Sequence, residues 1–180
     1  MAENVRTVYA QALFELCCEQ GITAEACEEL EGIGEVFEQN EELVKILRSP
    51  LVAFDEKKSL LEKAFGGRVG DTVFDFLCVA TEKGRADFVP DICEEFRKLY
   101  YKQQNILEVN VITAMELSER LRDKLLEKLE QTLGKTVIMK LSVDKSLIGG
   151  IVVKYDNTEL DSSVRGRLDR LKKQIDGIIA

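Results

Sequence analysis

Histidine is missing from all 180 residues. The commonest general base and the commonest nitrogen ligand for metals go with it, so a catalytic triad built on imidazole is excluded. Cysteine occurs five times (Cys17, Cys18, Cys27, Cys78, Cys93), never in a C-x-x-C pair, and no mixed Cys/His zinc site can be assembled. Buried, reduced thiols at helical positions are expected instead. Proline occurs only 2 times. Charges interrupt every apolar run well before the roughly 20 residues that a membrane-spanning helix needs. The first residues, Met1-Ala-Glu-Asn-Val, show neither the basic and apolar blocks of a secretory leader nor the Arg- and Ser-rich character of a transit peptide, which predicts a cytoplasmic product.

What is present is a composition of 45% hydrophobic and 32% charged residues, that of a folded, helix-rich protein. The net charge of −8 is unevenly spread: residues 1–105 hold 12 basic and 21 acidic residues, residues 106–180 hold 13 and 12. Two domains of different character follow, divided at 105/106. The acidic first half argues against a nucleic-acid platform there, because phosphate binding requires clustered Lys and Arg.

Through residues 5–101 the apolar positions recur at helical spacing, in segments parted by short Gly, Pro and Asn signals. Segment one ends near Gly21. Segment two carries Ala26, Leu30, Ile33 and Phe37 and stops near Asn40, and a short third carries Leu43, Ile46 and Leu47. After Ser49-Pro50, Asp55 is expected to cap a fourth helix with Leu60, Leu61, Ala64 and Phe65 on its apolar face, closed by Gly66-Gly67. A fifth spans 71–83 and ends at Gly84, and Pro90 opens a sixth. The expectation is a six-helix N-terminal bundle.

At Ile106 the period changes to two, with Leu107, Val109, Val111 and Thr113 alternating with Glu108 and Asn110 as in a half-buried strand. Ser118 caps an amphipathic helix with Leu121, Leu125 and Leu129, ended by Gly134. Strands at 136–143 and 151–155 and a turn at Asp156-Asn157 precede a last helix with Leu168, Leu171, Ile175 and Ile178 on one side. The order β-α-β-β-α makes a small α+β C-terminal domain.

Few residues suggest chemistry. Leu147-Ile148-Gly149-Gly150-Ile151 lacks the spacing of a phosphate-binding loop and reads as a bulge or tight lead-in to the next strand. Arg165, Arg167, Arg170, Lys172 and Lys173 cluster near the C-terminus, interleaved with Asp169, and suit a solvated face or an acidic protein partner better than phosphates. Glu25, Glu28, Glu29, Glu31, Glu35, Glu38, Glu41 and Glu42 fit the wet face of a helix.

The anomaly is segment one, which carries two apolar stripes: Val5, Val8, Tyr9, Ala12 and Leu16, and Ala10, Leu13, Phe14 and Cys17. Segment five repeats it, with Val73, Phe74, Leu77 and Ala80 on one side and Phe76 and Val79 on another. Either both helices are interior, or together they form a groove for an amphipathic helix from another protein.

Tyr9-Ala-Gln-Ala-Leu-Phe, Leu47-Arg-Ser-Pro-Leu-Val, Glu82-Lys-Gly-Arg with Pro90, Val111-Ile-Thr-Ala and Leu133-Gly-Lys-Thr-Val occur in that order. Val143-Asp-Lys-Ser-Leu-Ile-Gly-Gly-Ile-Val-Val and Asp161-Ser-Ser-Val-Arg-Gly-Arg-Leu-Asp-Arg-Leu are the most specific stretches. On these blocks the chain resembles, over its full length, the delta subunit family of F-type ATP synthases, related to the oligomycin-sensitivity-conferring protein. One departure is Ser162, where the family usually has Gly; a positive φ there would cost Ser something.

The resemblance implies a non-catalytic peripheral-stalk subunit, a monomer within a hetero-oligomeric complex, with no cofactor, metal, nucleic acid or membrane insertion. It would sit on the cytoplasmic side of the bacterial cell membrane. It further implies that Tyr9, Ala12, Leu16, Phe76 and Val79 receive the N-terminal helix of an alpha subunit, leaving Ala10, Leu13 and Phe14 for the core. The C-terminal domain would meet the C-terminal region of the b subunits, with Arg165, Arg167 and Arg170 as candidate contacts. The alternative is a regulatory or RNA-binding adaptor using the basic last helix.

Overall fold

The computed structural model describes the backbone of residues 2–179 and the side chains of residues 5–172. The chain divides into two compact units, Met1–Gln103 and Gln104–Ala180.

The first unit contains α1 (Ala2–Gln20), α2 (Thr23–Gln39), α3 (Glu41–Arg48), α4 (Phe54–Phe65), α5 (Asp71–Glu82), a 3-10 turn at Ala86–Phe88 and α6 (Val89–Gln103). Its core takes the stripes that the 3.6-residue period marks: Ala10, Leu13 and Cys17 of α1, Leu30, Ile33 and Phe37 of α2, Leu77 and Ala80 of α5, Ile92 and Phe96 of α6. The fully buried Phe96 meets Phe14 edge to face at 5.4 Å between ring centroids, a favoured aromatic geometry.

Asp55 is not the cap of α4. Ala53 holds that position without a side-chain bond, and Asp55 lies in the first turn, where its charge faces the positive end of the helix dipole. The glutamates of α2 lie along its outer side; Glu29 also turns to accept the Gly70 N–H at 2.9 Å, tying α2 to the start of α5. At the other end of α5, Gly84 adopts φ 66°, and the Arg85 N–H donates to the Ala80 carbonyl at 2.8 Å. This left-handed C-terminal closure fixes where the chain leaves α5.

The second unit contains β1 (Ile106–Thr113), α7 (Glu119–Leu133), β2 (Thr136–Val143), a 3-10 turn at Lys145–Leu147, β3 (Ile151–Tyr155), β4 (Thr158–Asp161) and α8 (Val164–Ile179). The sheet order is β2-β1-β3-β4, with β1 parallel to β2 and the other pairs antiparallel. Strand β4 was not expected. It pairs Leu160 with Val153 across the Asp156-Asn157 turn and makes the order β-α-β-β-β-α.

One face of the sheet, with Leu107, Val109, Val111, Val137 and Val153, packs against Leu125, Leu126, Leu129 and Leu133 of α7. Leu121, expected on that face, stands exposed in the first turn of α7. The opposite face carries the cross-strand ion pairs Glu108–Lys140 and Lys154–Glu159, each at 3.0 Å. Ile175, Ile178 and Lys173 of the predicted last helix lie outside the described side chains.

Candidate partner-docking surfaces

Helix α1 exposes one of its two stripes. Ala10, Leu13 and Cys17 are buried, and Phe14 packs half-buried against them. Val8, Ala12 and Leu16 point outward, Leu16 with 43% of its surface open, and Tyr9 is half-buried between the two faces. On α5, Val73, Leu77 and Ala80 face inward, while Val79 is 45% exposed.

The two helices are antiparallel neighbours. Near the end of α1 and the start of α5, the Thr72 hydroxyl donates to Gln20 Oε1 at 2.7 Å. At the opposite end the Arg85 guanidinium stands 5.1 Å over the Tyr9 ring. Tyr9, Ala12 and Leu16 on one side and Val79 on the other therefore line one outward apolar strip.

Phe76 does not belong to its exposed lining. It is 8% exposed and part of the core. Val73, Phe76, Leu77 and Ala80 follow the i, i+3, i+4, i+7 rule of a single buried stripe, a pattern that placed Phe76 inside all along; Phe74 is the half-buried residue instead. Val8, prominent in the structure, completes the outward stripe one turn before Ala12.

In the second unit the residues between 144 and 170 form an internal clasp. Asp144 Oδ1 accepts from the Ser146 N–H at 2.8 Å, and Arg165 donates to Ser146 Oγ at 3.0 Å. Asp161 Oδ1 accepts from the Ser163 N–H at 2.8 Å, Ser163 Oγ accepts from the Gly166 N–H at 3.0 Å as the cap of α8, and Arg170 donates to the Asp161 carbonyl at 3.3 Å. Hydrogen bonds from Ser163, its hydroxyl first and its backbone N–H next, hold the Asp161 carboxyl below its ordinary range. Asp144 is lowered in the same way by Ser146.

Arg165 and Arg170, which the resemblance implies as b-subunit contacts, each place one donor inside the unit while staying exposed. Their acceptors are brought near only by the fold, which is why spacing along the chain does not reveal them. Arg167 is likewise exposed on α8.

Gly150, at φ 79°, is the tight lead-in to β3: an added Cβ would stand 2.5 Å from the Ser162 carbonyl oxygen. Ser162 itself is not among the positive-φ residues, so it carries no penalty for replacing Gly. Ile148, however, sits at φ 67°, a conformation that costs a β-branched side chain about 1–3 kcal/mol. Beside this clasp Val164, Leu168 and Leu171 form an exposed apolar stripe at i, i+4, i+7 on α8.

The strongest shifts among titratable groups fall on buried thiols. Burial pushes Cys17 and Cys27 up to about 11 and Cys93 to about 12, which keeps all three protonated and unreactive at neutral pH. Among the described residues no helix is long and apolar enough to cross a membrane.

Comparison with known proteins identifies a family. A model of the ATP synthase delta (OSCP) subunit family matches residues 5–175. ATP synthase subunit delta of Halalkalibacterium halodurans is 37% identical over 168 residues, covering 93% of this chain and 92% of that protein. ATP synthase subunit delta of Clostridioides difficile is 33% identical over 181 residues, with 100% of each covered. A chain in the cryo-EM structure of the Toxoplasma gondii mitochondrial ATP synthase hexamer shares the fold, with a TM-score of 0.72 at 19% identity over 94% of this chain and 96% of that one. With residues 5–175 matched by the family model and relatives of 37% and 33% identity over 93% and 100% of its length, the chain belongs to the ATP synthase delta (OSCP) subunit family.

Proposed function

We propose that this chain is the stator link of an F-type ATP synthase, a non-catalytic subunit of a hetero-oligomeric complex. Its first unit, a six-helix bundle, docks on the catalytic head, and its second unit meets the b subunits that rise from the membrane sector. The observation that supports this reading best is the outward strip of Tyr9, Ala12, Leu16 and Val79 on two helices that already have a fully formed inner face. A helix needs one apolar face to fold into a bundle; a second face left open suits an amphipathic helix of a partner. In this proposal that helix is the N-terminal segment of an alpha subunit, with Phe76 as the floor beneath the strip. Covering Leu16 and Val79 is worth about 1 kcal/mol each.

The b-subunit contact falls on α8, on the stripe of Val164, Leu168 and Leu171 beside Arg167. Clamped at both units, the chain holds the head still against the drag of the rotating shaft, on the cytoplasmic side of the membrane and peripheral to it. It makes and breaks no covalent bond. The test is calorimetric titration of the full chain with a synthetic alpha-subunit N-terminal peptide, beside a Val79→Asp variant. Saturable one-to-one binding that the variant loses supports the clamp. A folded wild type that binds no peptide overturns it.

A further inference from the structure

The strip between α1 and α5 is apolar along its length but differently charged at its two ends. At the Tyr9 end stand Lys83, exposed, and Arg85, its guanidinium 5.1 Å over the Tyr9 ring. Arg6 lies nearby, paired with Asp91 at 3.1 Å and stacked 5.4 Å over Phe88. The other carboxylates here are Glu82, exposed, and Asp87, which Arg48 reaches at 3.7 Å. Arg85 has no ion-pair partner among the described residues. At the Gln20 end the exposed groups are Glu15, Glu19, Asp71 and Asp75, with Arg68 the nearest cation in sequence. The Tyr9 end is thus a local cationic pole in a half-chain where 21 acidic residues face 12 basic ones.

A docked helix has poles of its own: its last carbonyls carry about half a negative charge and its first N–H groups about half a positive one. We infer that the strip is polarised, accepting an amphipathic helix with its C-terminal end, and any carboxylate of its last turn, against Arg85, and its N-terminal end toward Asp71 and Glu19. The bound helix then runs antiparallel to α1 and parallel to α5. Arg85 is the specificity-determining residue. Stacking on Tyr9 holds its guanidinium in place before binding, so little side-chain freedom is lost when it meets carbonyl or carboxylate oxygens. This inference rests on the docking strip proposed above and adds a direction to it.

The test uses the isotopically labelled full chain and a designed amphipathic helical peptide of about 20 residues, long enough to hold a helix on binding. The peptide has a Leu/Ile stripe, lysines in its first turn and glutamates in its last, and a nitroxide at one end or the other. A C-terminal nitroxide is expected to broaden the amides of residues 83–88, and an N-terminal one those of residues 69–75. A peptide with lysines and glutamates exchanged should bind about fivefold more weakly at low salt, the difference fading as salt screens it. Arg85→Gln should remove that preference, and Arg85→Glu should reverse it. The opposite broadening pattern, or equal affinity of the two peptides, overturns the polarity while Val79→Asp still abolishes binding. Binding indifferent to Val79→Asp overturns the docking strip as well.

Discussion

At Gly150 the backbone at φ 79° brings the chain so close to its own later residues that a Cβ would stand 2.5 Å from the Ser162 carbonyl oxygen and 3.0 Å from Ser163 Cα. Neither neighbour is a side-chain end that can swing away. Gly150→Ala is therefore expected to destabilise the second unit by about 2–3 kcal/mol, from the positive φ and the displaced α8 cap together. Urea unfolding followed by circular dichroism measures it, and an unchanged midpoint would mean that the Ser162 segment yields freely. The two glycines were legible as a tight lead-in to a strand. Their opposing residue was not, because Ser162 lies twelve positions further along and is brought near by the pairing of β3 with β4, by the Ser162 N–H to Ile151 O bond of 3.0 Å and by the Val164 N–H to Gly149 O bond of 2.9 Å. The internal acceptors of Arg165 and Arg170 were hidden for the same reason.

Among the elements, α1 carries two apolar faces, and its two leucines separate them. Leu13 is buried at 5% exposure, and Leu13→Ala should cost about 2–4 kcal/mol of stability. Leu16→Ala removes no core contact and should cost under about 1 kcal/mol, while weakening the docking of an amphipathic peptide. Thermal melts and peptide titrations of the two variants should therefore move in opposite order, and equal stability losses would show that the outer stripe is part of the core. Both stripes were visible in the sequence. Which one faces inward was not, since each carries about the same apolar bulk and the choice depends on what α2 and α6 place behind it. Strand β4 escaped for a different reason: Thr158-Glu-Leu-Asp has one apolar residue and follows a turn, so its identity comes from pairing with β3.

Across the whole molecule, the helical half and the mixed half were legible from a change of period at Ile106 and from the charge imbalance between them. Each unit encloses its own apolar cluster. A chain ending at residue 103 is accordingly expected to fold by itself, with helical circular dichroism and a cooperative melt. A broad, non-cooperative melt would show that the first core depends on the second unit.

The sheet of the second unit orders its own formation differently. Every β1 residue pairs with one thirty positions later in β2, from Ile106 with Thr136 to Thr113 with Val143, and its antiparallel partners in β3 lie further on still. As the chain emerges during synthesis, the helices of the first unit find all their partners behind them and can close while translation continues. Strand β1 leaves the ribosome with no partner yet made, its Leu107, Val109 and Val111 unmatched until α7 and β2 have followed. The newborn protein thus passes through an interval in which its first half is finished and the central strand of its second half is still waiting.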